Sequence, residues 1–166
     1  AINNLNKIKF NEYNLVTGSA FLDILPKKWF KKFHRLNADT EIVYFALNYD
    51  GNFKFLPKHN DDKKIVNIFN KDQKSDKGIG ELAVGPNCTS IIKKVFKTTH
   101  KTFVLDSTWD VSKNYEFQIY FLKFCKDIIN KNKLNLDQWL EFRLRSIKEK
   151  NSRFILKNND FLAIKK

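Results

Sequence analysis

Leu25-Pro26-Lys27-Lys28-Trp29-Phe30-Lys31-Lys32-Phe33 is the stretch on which the reading of the fold turns. The apolar run Ala20–Leu25 before it predicts a strand. Pro26 suits the first position of a helix, where its fixed φ matches and its missing N–H has no partner to lose. Trp29, Phe30 and Phe33 then fall at i, i+1 and i+4, one apolar face, and Lys27, Lys28, Lys31 and Lys32 occupy the remainder. The spacing predicts a strand turning sharply into a short helix, greasy inside and cationic outside.

The 166 residues suit a single domain over 1–166. Apolar residues make up 42% of the chain and sixteen are Phe, so a core needs no help from metal or disulfide. Cys88 and Cys125 lack metal-type spacing and read as two buried thiols. No apolar run approaches the ~20 residues of a membrane span, and no stretch resembles a signal peptide. These features predict a soluble, cytoplasmic protein. Methionine is absent and the sequence opens at Ala1, which predicts a piece excised from a longer protein.

Net charge is +13 and the pI about 9.7. Such an excess costs folding energy through self-repulsion and favours polyanionic partners, nucleic acid or an acidic membrane surface. The plain alternative is compositional bias, since lysine and asparagine abound while arginine is confined to Arg35, Arg143, Arg145 and Arg153.

Further strands are expected at Ile8–Phe10, Glu41–Asn48, Asn52–Leu56, Ile65–Phe69, Ile79–Val84 and Lys101–Leu105, from β-branched and aromatic runs bounded by turn residues. Asp50-Gly51 reads as a hairpin turn, and Asn158-Asn159 as the turn of a closing hairpin between Arg153–Leu156 and Phe161–Ile164. Asn11–Ser19, Lys58–Lys64 and Asn70–Gly80 read as polar loops. Helices are expected from Asn87 or Thr89 to Thr98, and over Tyr115–Asn130. Leu136–Ser146 fits both types. Leu140, Phe142 and Leu144 alternate with Glu141, Arg143 and Arg145, which favours a strand. Many short strands with two or three helices predict a mostly β (α+β) fold, a barrel.

An active site is hard to assemble. The five glycines form no phosphate loop, and His34, His59 and His100 lie apart without metal-ligand partners. Cys88 sits at an expected helix start, which lowers a thiol pKa, but packing explains it more simply. A magnesium-dependent nuclease needs two or three carboxylates and a lysine. Asp106 or Asp110 with Glu116 supplies the acids, yet no Glu-x-Lys pair lies on a core strand, and Glu149-Lys150 falls in a charged run. The expectation is a binding module without catalysis, metal or cofactor. A small metal-dependent nuclease and an RNA or single-strand binder are the alternatives.

Leu25–Phe33 resembles the Ile-Pro-Lys-Lys-Phe signature of the B3-like DNA-binding pseudobarrel family, found in plant transcription factors and in target-recognition parts of bacterial restriction enzymes. A later segment is similar too: Phe121 and Phe124 open a helix, and Leu134–Phe142 matches a following family segment in length and apolar pattern. Asp137 and Gln138 replace its Gly-Asp, and the spacing requires an insertion, placed at Asn70–Lys101. The resemblance implies an open seven-stranded pseudobarrel with two or three helices that grips the major groove of double-stranded DNA with two arms. It implies that Asn14, Thr17 and Ser19 belong to the first arm, and Lys58, His59, Asn60, Lys63 and Lys64 to the second. Lys27, Lys28, Lys31 and Lys32 would flank them. The setting implied is target recognition in an McrBC-like restriction-modification system, with a motor domain in the same chain and a nuclease subunit as partners.

Overall fold

The computed structural model describes residues 2–166. The helices are α1 (Lys27–Leu36), α2 (Asp62–Gln73), α3 (Cys88–Phe96), α4 (Tyr115–Lys131) and α5 (Asp137–Lys148). The strands are β1 (Leu15–Ser19), β2 (Ile42–Leu56), β3 (His100–Asp106), β4 (Trp109–Asp110) and β5 (Arg153–Lys165). They form an open mixed sheet in the order β1-β2-β5-β3, with β4 paired to β5. This α+β arrangement replaces the expected seven-stranded pseudobarrel with two or three helices. No helix of the described residues is long and apolar enough to cross a membrane.

The chain packs as two compact units. Unit 1 holds Ala1–Asp50, Gln73–Ser107 and Asn158–Lys166; unit 2 holds Gly51–Asp72 and Thr108–Lys157. Strands β2 and β5 each contribute one half to either unit.

In unit 1, β1 runs parallel to β2, with Val16 opposite Val43 and Gly18 opposite Phe45. β3 runs antiparallel to β5, with Phe103 opposite Leu162. Val43, Phe45, Phe161 and Ala163 face α1 and α3 and build the core with Leu22, Leu25, Trp29, Phe30, Phe33, Ile92 and Phe96. Trp29 stacks on Phe33 at 4.6 Å. Gly18 is required by a close approach, because a Cβ there would lie 2.3 Å from the Phe21 ring and 2.8 Å from the Phe45 ring.

Two polar links hold the unit 1 strands. Buried Asn48 donates to the carbonyls of Phe45 and Asn159, 2.9 Å each. Asp160 accepts from the Tyr44 hydroxyl and, at 2.8 Å, from the N–H of Leu47, whose φ of +55° turns that N–H toward the carboxylate. A third link ties α1 to β3. His100 Nε2–H donates to the Thr40 carbonyl (2.8 Å), which in the neutral ring leaves Nδ1 to accept from Thr99 Oγ1 (2.7 Å). The Thr99 oxygen then accepts from His34 Nε2–H at 2.9 Å. Two of the three histidines, distant in sequence, thus share one threonine.

Unit 2 is built on aromatic rings. Phe53, Phe55, Phe69, Phe121 and Phe154 are all buried, and Phe55 stacks on Phe154 at 4.2 Å. Among them lies fully buried Arg143, its guanidinium 5.1 Å from the Phe55 and Phe142 ring centres and 5.7 Å from that of Trp139. It donates to the Pro57 carbonyl and the Asp62 carboxylate, and Asp62 also accepts from Trp139 Nε1 at 2.8 Å. Burial draws the guanidinium below the ordinary arginine range, and the Asp62 carboxylate draws it back up. One carboxylate at the start of α2 thereby anchors two side chains of α5.

The other differences from sequence have local causes. Ile65–Phe69 lies in α2, where Ile65 and Phe69 are buried one turn apart, a helical spacing hidden by its β-branched composition. Leu136 precedes helix α5 and Asp137–Ser146 lies within it; Arg143 is buried and Leu144 is 48% exposed, which breaks at that pair the alternation that favoured a strand. Asp50-Gly51 makes no hairpin. A type I′ turn needs positive φ at both residues, and only Gly51 has it (φ +97°), so β2 continues through the pair. Neither Asn158 nor Asn159 has positive φ, and β5 passes straight through. Ile8–Phe10 and Ala20–Leu25 are no strands; short 3₁₀ turns lie at Phe10–Glu12 and Leu22–Ile24. Ile79–Val84 forms only isolated bridges, interrupted where the Asp76 carboxylate accepts the N–H groups of Ile79 and Gly80.

Asp62→Ala is expected to destabilise by about 3–5 kcal/mol in urea unfolding, because it strands the Arg143 charge among rings. Adding Arg143→Met should recover a substantial part. A single-mutant cost below ~1 kcal/mol would show that the pair holds nothing.

Burial, helped by the neighbouring His100, places the His34 pKa below its ordinary value of 6.5. Its contribution is therefore present above about pH 6.5 and is lost as pH falls through the lower folded value. His34→Gln, which keeps a donor for Thr99, should flatten the decline in melting temperature between about pH 7 and pH 5; parallel profiles for the two proteins would refute this.

Candidate nucleic-acid interface

α1 is fixed at both ends. Pro26 caps it in an extended conformation, one residue earlier than the expected first helical position, and buried Asn37 donates to the Phe33 carbonyl at 2.9 Å. Trp29, Phe30 and Phe33 point into the core, as their spacing predicts, at 7%, 0% and 2% exposure. Lys27, Lys28, Lys31 and Arg35 are exposed and Lys32 is half-buried. Lys28 pairs with Glu81 at 2.6 Å, but its side chain is largely in solvent and such a pair contributes little.

Beside α1 lies a groove of unit 1. Lys27 and Lys31 line it from α1, Lys94 from α3, and Lys74 from the segment between α2 and α3. Leu82, Ala83, Val84, Ile91 and Val95 supply its apolar part, with Asn87 and Ser90 at the start of α3. The Ser90 hydroxyl donates to the Asn87 carbonyl at 2.8 Å. Among the described residues no carboxylate and no aromatic ring lines this groove. Glu81 stands with Lys27 and Lys31 in an adjoining pocket but outside this lining; the four like charges within the groove repel one another, and an anion bound among them relieves that repulsion.

Of the residues expected to read DNA, those of the first arm lie in unit 1 and those of the second in unit 2. Val16 packs toward the core. Thr17 and Ser19, which alternate with it on β1, are exposed on the opposite face of the sheet from α1. Asn14 is exposed just before β1, and its carbonyl accepts from Ile42 N–H at 2.9 Å. The expected first arm is thus largely an ordered parallel strand. Lys58, His59, Asn60, Lys63 and Lys64 lie in unit 2 around the start of α2. Lys58, Asn60, Lys63 and Lys64 are exposed. His59 is committed to structure: its N–H donates to Asp62 (2.9 Å), its Nδ1 accepts from Asp61 N–H (3.1 Å), and its ring lies 5.2 Å from that of Phe142.

The carboxylates considered for metal chemistry fall in different units. Asp106 ends β3 in unit 1, while Asp110 and Glu116 belong to unit 2. Asp110 is held below the usual carboxylate range by the Ser112 hydroxyl and N–H and by Arg153. No three His, Cys, Asp or Glu side chains converge among the described residues. Burial pushes the thiols of Cys88 and Cys125 up to about 12, so neither supplies a thiolate at neutral pH.

Lys74 and Lys94 complete the groove and were missed as site residues from sequence. Lys94 was readable as an outward position of α3, one turn after Ser90, but the approach of Lys74 to α1 is purely tertiary. No protein-family model matches this chain and no curated protein matches it, so the lysine-lined groove stands on its own geometry.

Proposed function

We propose that the protein binds double-stranded DNA, with phosphates seated along the groove between α1 and α3. The observation that carries this reading is the set Lys27, Lys31, Lys74 and Lys94 facing one groove without a carboxylate. Lys27, Lys31 and Lys94 stand on helices anchored by a packed core, so their backbone positions keep a fixed spacing, which suits a regular phosphate backbone. Unpaired bases are bound by stacking on exposed rings, and this groove has none, which favours a duplex over a single strand. Asn87, exposed at the groove, is the short polar side chain best placed to add a hydrogen bond to a phosphate or a base edge. A role as the target-recognition part of a cytoplasmic restriction-modification system, without cleavage of its own, rests on the Leu25–Phe33 resemblance and extends the same proposal.

Fluorescence anisotropy with a duplex of about 20 base pairs tests it, over about 50–200 mM salt. The plot of log affinity against log salt should be steeply negative, and alanine at Lys27, Lys31, Lys74 or Lys94 should each reduce its slope by about 0.9. Alanine at Lys58, Lys63 and Lys64 is the matching test of the unit 2 residues around the start of α2. Unaltered slopes in all four groove variants, or no binding at the lowest salt, would overturn the groove reading. Random-site enrichment tests the recognition role: a preferred duplex whose advantage falls in Asn87→Ala supports it, and a flat sequence profile removes it.

A further inference from the structure

The second unit carries a different kind of surface. α4 and α5 are joined by a short connection and pack side by side as a helical hairpin. Between them runs a groove with Leu122 and Leu140 at its floor and Ile119 and Leu144 toward solvent. Its two lips have opposite charge: Lys123 and Lys126 stand on the α4 side, Asp137 and Glu141 on the α5 side. Among the described residues none of these four is in a salt bridge. The adjoining surface of α4 is apolar as well, with Tyr120 73% and Phe124 41% exposed. A helix pair that leaves Ile119, Tyr120, Phe124 and Leu144 in water gains by covering them.

We infer that the α4–α5 face is the contact surface for a second copy of this chain, in a two-fold dimer whose axis runs along the groove. A two-fold contact brings the same patch together from both copies, so the patch must complement itself. Rotation about an axis along the groove lays α4 of one copy over α5 of the other. Lys123 then meets Glu141 of the second copy, and Lys126 meets its Asp137, while the apolar centres face each other. Rotation about an axis across the groove sets lysine over lysine and is excluded by charge. The overall +13 of each copy opposes association at long range, but at physiological ionic strength charges beyond about 8 Å are screened while the paired lips act in contact.

Sedimentation equilibrium of the whole chain at about 1–100 μM and about 150 mM salt tests this, with circular dichroism to verify that each variant is folded. The wild type should dimerise within this range. Lys123→Glu and Glu141→Lys should each weaken association at least tenfold, because each sets like charges together. An equimolar mixture of the two variants should dimerise again, since the mixed pair holds one native contact and one with both signs inverted. Leu144→Glu should give monomers. A monomeric wild type at the highest concentration, a mixture no more associated than its components, or a Leu144→Glu dimer would each overturn the inference. Capture of a foreign amphipathic helix by a monomeric wild type would reassign the groove to a partner protein.

Discussion

Burial of Trp29, Phe30 and Phe33 against β2 and α3 is the constraint on which the shape of unit 1 depends. Three large rings on one face of a ten-residue helix leave its cations only the opposite side. The same packing sets α3 beside α1 and so brings Lys94 toward Lys31. The positively charged surface is thus a by-product of the core: the rings bury themselves, and the lysines follow. A large-to-small change at Phe30 loosens that arrangement at its centre, at a cost typical of Phe→Ala in cores, about 3–5 kcal/mol.

The elements legible in the sequence are those whose pattern is local. α1, α3, α4, β3 and the first half of β2 appear near their expected places, because each carries its own apolar period. Elsewhere one residue reversed a reading. At Arg143, charge signalled solvent, yet this is one of the most deeply buried side chains, and exposed Leu144 sits beside it. The compensation that admits it, Asp62 and a box of rings, comes from distant segments that no period reveals. At Asp50-Gly51 and Asn158-Asn159 the residue types favoured turns, but the long strands β2 and β5 had apolar side chains to deliver on both sides. Of the candidate site, the lysines of α1 were legible from helical spacing. Lys74 was not, since its place in the groove follows from how the chain returns between α2 and α3. The separation of Thr17 and Ser19 from those lysines was equally invisible while Asn11–Ser19 was read as a loop.

The two units use charge in contrasting ways. In unit 2, a single arginine is taken out of water and matched by one carboxylate, one carbonyl and three rings. That arrangement fixes how α2 and α5 meet, though a well-packed apolar side chain would cost less desolvation. In unit 1, four lysines stay in water and are matched by nothing among the described residues lining their groove. Charge acts as a structural bolt in one place and as unspent attraction in the other.

Strand β5 also sets an order of events during synthesis. Phe161 and Ala163, both fully buried in the unit 1 core, lie far beyond the rest of that core in the chain, and β3 finds its antiparallel neighbour only when they have been made. Residues 15–50 emerge with β1, α1 and the first half of β2 but without the strand β5 that brings β3 into their sheet. A domain of contiguous sequence folds as its own residues leave the ribosome. Here β2 and α3 reach the aromatic face of α1 early, while Phe161 and Ala163 join that core only after Thr108–Lys157 have been made. A nascent chain therefore holds the unit 1 core open on its β5 side through that interval, and a chaperone or slow aggregation has that interval in which to compete with folding.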